Sequence, residues 1–130
     1  MIDFKHWEIT QRSKIEDLMN VIFKTKGQAK VGALILNSIL EKGKYSEESG
    51  RQQFGIYEED MHKIFLESKV SRPTFFKVLK RLRNIGLIKK DFSFYYLSMD
   101  FANSLRRLER TVRSIIENKI KDVKQVDEEL

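Results

Sequence analysis

At 130 residues the chain has the size of one domain, and 25 Lys and Arg against 19 Asp and Glu leave it at +6, an excess that favours a polyanion or an acidic surface as partner. The absence of cysteine excludes disulfides, thiolate zinc sites, thiol catalysis and cysteine-ligated iron–sulfur clusters. The opening MIDFKHWEITQRSK has neither the apolar core nor the small-residue cleavage site of a signal peptide, and no stretch has the apolar length of a membrane span. An intracellular, cytoplasmic protein without membrane association is therefore expected.

Phe4, Trp7, Ile15, Leu18, Met19 and Ile22 recur at a helical period, which predicts a first helix closed by Lys26-Gly27. The next segment, QAKVGALILNSILEKGK, sets Val31, Leu34, Ile35, Leu36, Ile39 and Leu40 on a broad apolar face that stops at Gly43. A face that wide predicts a buried central helix with several neighbours. From Lys44 to Gly55, KYSEESGRQQFG is polar, holds two glycines and keeps no period, so it reads as an exposed loop. Tyr57 to Ser68 predicts a short third helix: its three acids complement the dipole of a first turn, and Met61, Ile64 and Phe65 give it an apolar side.

Ser71 is a good N-cap and Pro73 fits the first turn of a fourth helix, where a missing N–H costs no helical bond. Phe75, Leu79 and Leu82 form its inward stripe, and Asn84-Ile85-Gly86 predicts a glycine-terminated end. Leu87–Lys90 and Phe92–Leu97 read as a small hairpin around Asp91, too short to stand without the helices. The expected face of that hairpin is Phe92, Phe94 and Tyr96 inward on the core and Tyr95 outward. A base-stacking platform built from the same aromatics is disfavoured by the small size of the sheet.

Ser98 or Asp100 can cap a last helix, about 99–126, in which Phe101, Leu105, Leu108, Val112, Ile115, Ile116, Ile120 and Val123 keep a spacing of three and four. Such a stripe is longer than a small core covers, which predicts a dimerisation helix, with burial against the first helix as the competing reading. Ile115 beside Ile116, and Lys119 on the seam, break a strict heptad. The fold class expected is mainly α with a small β-hairpin wing, one domain over 1–130 with its core in 28–97.

The basic charge is local. Lys69 to Lys90 contains Lys69, Arg72, Lys77, Lys80, Arg81, Arg83, Lys89 and Lys90 and no acid, so the remainder of the chain is close to neutral. With Phe75, Leu79 and Leu82 inward, the opposite side of the fourth helix carries Arg72, Pro73, Phe76, Lys77 and Lys80. A helix fits the major groove and presents such groups to base edges. Arg72 is a candidate for guanine and Phe76 for a thymine methyl, with packing against the wing or second helix as the alternative for Phe76. Ser71, Thr74, Arg81, Arg83, Lys89 and Lys90 are candidate phosphate contacts, Ser71 also being explained by capping alone.

VSRPTFFKVLKRLRNIGLIKK, Val70–Lys90, resembles the recognition helix and first wing strand of the small dimeric transcription regulators of the MarR-like and archaeal Lrp-related winged-helix groups. The shared features are the apolar residue before a Ser cap, the apolar positions Phe75, Leu79 and Leu82, and the closing N-x-G-L-I. The resemblance covers roughly Gln28 to Leu97, and the flanking helices resemble those groups' dimerising arms. It implies a winged helix-turn-helix, a homodimer, and double-stranded DNA as ligand, with the helix 71–84 in the major groove. Two departures stand out: LESKVS has no glycine for the tight turn between the motif helices, and the hairpin lacks a long basic tip, which moves the expected load onto the helix. The alternatives are a winged-helix protein-interaction module of a transcription or replication assembly, or a protein that coats DNA without sequence preference.

No enzyme is expected. His6 and His62 lack metal-ligand spacing, no phosphate-binding loop occurs, and the acids of YEED and VDEEL read as helix-terminal or terminal solvated charge, so neither cofactor nor metal is predicted.

Overall fold

The computed structural model describes residues 14–47 and 50–129, with side chains as far as Val123. The expected positions Phe4, His6 and Trp7 of the first helix lie outside the described residues. The chain divides into two compact units, Met1–Ser98 and Met99–Leu130.

The first unit begins with α1, Lys14–Ile22, and α2, Lys26–Lys42. Lys26-Gly27 opens α2 instead of closing α1, because Thr25 is an N-cap: its Oγ1 accepts from the N–H of Gln28 at 3.2 Å. Met19 of α1 and Phe23 press so close to Gly32 of α2 that a Cβ there would meet both at 2.8 Å. α2 is the expected central helix, touching α1, α3, α4 and β2, with Val31, Ile35, Leu36 and Ile39 buried and Leu40 left exposed.

The segment 44–55 is not a loop. It supplies β1, Lys44–Ser46, and the start of β2, Gln53–Tyr57, paired antiparallel. β2 in turn pairs with β4, Phe94–Leu97, and β4 with β3, Ile88–Asp91, so the predicted lone hairpin is half of a four-stranded antiparallel sheet ordered β1-β2-β4-β3. Glycine at position 55 lets β2 and β4 close up, since a Cβ there would sit 1.8 Å from the carbonyl oxygen of Tyr95.

The turn of the β3–β4 hairpin is Phe92-Ser93, and this fixes which aromatics face inward. Phe92 takes a left-handed φ of 55° and is 94% exposed, whereas Phe94 and Tyr95 are 4% and 6% exposed. The expected inward Phe92 and outward Tyr95 are thus both reversed. Tyr95 lies opposite Ile56 of β2, itself buried, and Phe94 packs on Tyr57 and Tyr96.

α3, Glu58–Ser68, follows β2 directly, with Tyr57 as strand end and N-cap. α4, Arg72–Asn84, follows after Lys69, which occupies the left-handed region at φ 57°. Lysine therefore fills the place in which a tight interhelical turn favours glycine. Ser68 holds this turn from inside: its hydroxyl donates to the Phe65 carbonyl at 2.5 Å and accepts from the Val70 N–H at 3.4 Å.

α4 has the ends its sequence predicts. Ser71 accepts from the Thr74 N–H, and at the other end Gly86, at φ 83°, donates to the Arg83 carbonyl while Leu87 donates to that of Leu82. This pair of bonds is a Schellman closure. Phe75, Val78, Leu79 and Leu82 are buried, so truncating Phe75 to alanine would cost about 3–5 kcal/mol.

The second unit is α5, Asp100–Glu129. Phe101 is half-buried, and Leu105, Leu108, Val112, Ile115, Ile116, Ile120 and Val123 are all exposed.

Candidate nucleic-acid interface

α4 stands as a ridge between two clefts. One, of about 690 Å³, runs along the β3–β4 hairpin and is lined by Phe76, Lys80, Arg83, Asn84, Lys89, Lys90 and Tyr96 among others. The second, of about 550 Å³, separates α4 from the α1–α2 turn and is lined by Ile22, Phe23, Lys24, Thr25, Gln28, Lys77, Val78, Lys80, Arg81 and Asn84. Lys80 and Asn84 border both clefts, and neither wall contains an acid.

The clustering follows from helical spacing. Burial of Phe75, Val78, Leu79 and Leu82 turns Pro73, Lys77, Lys80 and Asn84 to the opposite, exposed side. Arg83 and Phe76 then flank this line toward the hairpin, and Arg81 toward the α1–α2 turn. Among the described residues, Lys24, Lys77, Lys80 and Arg81 have no ion-pair partner, so the second cleft keeps its full positive charge.

Ser71 and Thr74 are bound to each other, hydroxyl to hydroxyl at 2.9 Å, which serves the helix cap. Arg72 lies with Cζ 5.3 Å from the centroid of the Phe76 ring, a cation–π contact. Phe76 in turn meets Phe75 edge-on at 5.4 Å and Phe65 of α3 at 6.1 Å, and remains 38% exposed. It packs against Phe65 of α3 and serves as a platform beneath Arg72.

Lys90 is the basic residue of this region most engaged by its neighbours. Its ammonium pairs with Glu58 of α3 and sits 5.1 Å from the centroid of the Tyr95 ring. The hydrogen bond to Glu58, above all, raises its pKa above the usual lysine value.

Lys24 escaped the sequence reading because it lies far along the chain from the basic window. Thr25-Lys-Gly-Gln28 does carry a threonine-to-glutamine capping spacing, but that signal marks only the start of α2, and packing alone brings Lys24 beside α4. The described residues hold no cluster of His, Asp and Glu that could bind a metal ion, and no described helix is long and apolar enough to cross a membrane.

Over residues 12–118 the chain matches a family described simply as an archaeal family, and it belongs to that family. No curated protein and no solved structure matches it.

Proposed function

We propose that residues 28–97 form a winged helix-turn-helix that binds double-stranded DNA as a sequence-selective transcription regulator, with α4 in the major groove. The observation that carries this reading is the acid-free ridge of α4 with a cationic cleft on each side. The order α2, β2, α3, α4, β3, β4 supports it, being the order of motif helices and wing strands in that fold. A helix of 13 residues is about 20 Å long, enough to lie across the major groove.

In this reading Arg72, Pro73, Phe76, Lys77 and Lys80 face the bases, with Arg72 steadied by the Phe76 ring. Thr74 and Arg81 meet phosphates on one side of the groove, and Arg83, Lys89 and Lys90 meet them on the other. Phosphates fix position and bases give selectivity. The hairpin tip, with Asp91 and the exposed Phe92, carries no basic side chain, which leaves most of the recognition to α4.

The test is duplex binding over a salt series. Affinity should fall steeply with salt, by a log–log slope of about −0.9 for each phosphate engaged. Arg72→Ala should lose about 1–3 kcal/mol on the selected sequence and far less on a scrambled one. Equal losses on both would make the protein a non-specific coat for DNA. No binding at low salt would leave a protein-interaction module, for which the exposed Phe92 would be the first residue to probe.

A further inference from the structure

We infer that the tip of the β3–β4 hairpin docks into the cleft between α4 and the α1–α2 turn of a second copy of this chain, with Phe92 as the inserted side chain. Two costs meet at this residue. The hairpin turns through Phe92 and Ser93, between the paired Asp91 and Phe94, and only the first of the two has a positive φ, 55°. That is the sign pattern of a type II′ turn, whose first position favours glycine. A phenylalanine stands there instead, with its backbone in the left-handed region and its side chain 94% exposed. A bulky residue kept in that conformation, in water, points to a contact outside the chain.

The tip is also held in place. The Ser93 carbonyl accepts from the Glu58 N–H at 2.8 Å, which fastens the turn to the start of α3. The same bond brings acids to the tip: Asp91 precedes Phe92 in the chain, and Glu58, Glu59 and Asp60 open α3. Glu58 pairs with Lys90 and Asp60 with Lys63, but among the described residues Asp91 and Glu59 have no ion-pair partner. An aromatic ring among free carboxylates repels phosphates, whether of a nucleic acid or of a lipid surface, and fits an apolar hollow with a cationic rim.

This chain carries such a hollow. The cleft of about 550 Å³ has Ile22, Phe23 and Val78 in its wall beside Lys24, Lys77 and Arg81, and no acid. Within one copy α4 stands between the hairpin and this cleft, so the tip enters the cleft of a neighbour. Tip and cleft are different surfaces, which makes the contact head-to-tail, and each joined pair still offers one free tip and one free cleft. Assemblies therefore grow with concentration. Because the occupied cleft holds Lys24 and Arg81, duplex and tip compete for it; that competition rests on the DNA reading, and the docking itself does not.

In the full-length protein, a photoreactive benzoylphenylalanine in place of Phe92 keeps an aromatic side chain at the tip and reports what it touches. Isotope-labelled and unlabelled copies are mixed and irradiated at a concentration on the order of 0.1 mM, where even a weak contact is populated. Mass spectrometry should find position 92 of one copy linked to residues 22–28 or 77–84 of another. Lys77→Glu with Arg81→Glu in the partner should cut the yield at least about tenfold, as should Asp91→Lys with Glu59→Lys in the photoreactive copy. Mixing the two reversed proteins should restore it. Where circular dichroism shows a reversed variant unfolded, the crosslink map of the unreversed protein decides alone. No crosslink between copies, or crosslinks to other segments only, overturns the inference. Added duplex should suppress the link, whereas a link formed by a protein that binds no duplex would leave the docking standing and remove the DNA reading.

Discussion

The Arg72 guanidinium lies over the Phe76 ring, which is itself held by Phe75 and by Phe65 of the preceding helix. A long, flexible cation at the start of α4 is thereby tied to the core of the first unit. Phe76→Leu keeps the apolar contact and removes the aromatic face, worth about 0.5–1 kcal/mol. Duplex affinity should drop by up to about fivefold on the selected sequence with the thermal midpoint almost unchanged. Phe76→Ala should also lower the midpoint, because the contacts with Phe65 and Phe75 go with it; titration and calorimetry on the two variants separate the effects.

Lys69 is a non-glycine residue in the left-handed region between α3 and α4. Lys69→Gly relieves that strain, at some cost in unfolded-chain entropy, and should stabilise the protein by about 0.5–1 kcal/mol. Lys69→Val should destabilise it by at least as much, since a β-branched side chain tolerates this conformation less. Urea midpoints measure both.

The Lys90–Glu58 pair ties β3 to the first turn of α3. Because folding raises the lysine pKa, the contribution of the pair is complete below the unfolded value near 10.5 and is lost as pH rises through the folded value. Glu58→Gln should therefore cost about 0.5–1 kcal/mol at pH 8, and the difference from the parent should vanish as pH rises past the folded value. The same substitution leaves Lys90 without its carboxylate, so duplex affinity should rise and the salt slope steepen by about one phosphate.

Lys24 and Arg81 face each other across the second cleft from α1–α2 and α4. Replacing either with alanine should weaken selected and scrambled duplexes alike and reduce the salt slope by about one each. A loss confined to the selected sequence would move that residue from phosphate to base contact.

What the sequence determined by itself was the helical part. Ser71 caps α4, Phe75, Leu79 and Leu82 anchor it, and Gly86 ends it, because caps and a period of three to four are local properties of consecutive residues. The acid-free window became a ridge for the same reason: once one face of α4 is buried, spacing alone turns its bases outward. Tertiary structure decided the sheet. Nothing near Lys44–Gly55 announces a strand; β2 forms because β4, some forty residues later, offers its edge, and Gly55 permits the approach. Tertiary structure also decided which aromatics are inside. Phe92 is exposed because it sits in the turn at a left-handed φ, and the neighbours Phe94 and Tyr95 are both buried, which alternating side chains allow only where packing covers both faces of β4. Lys24 came to line the second cleft only when α1, α2 and α4 packed together, because a cleft between distant segments exists in space and not along the chain.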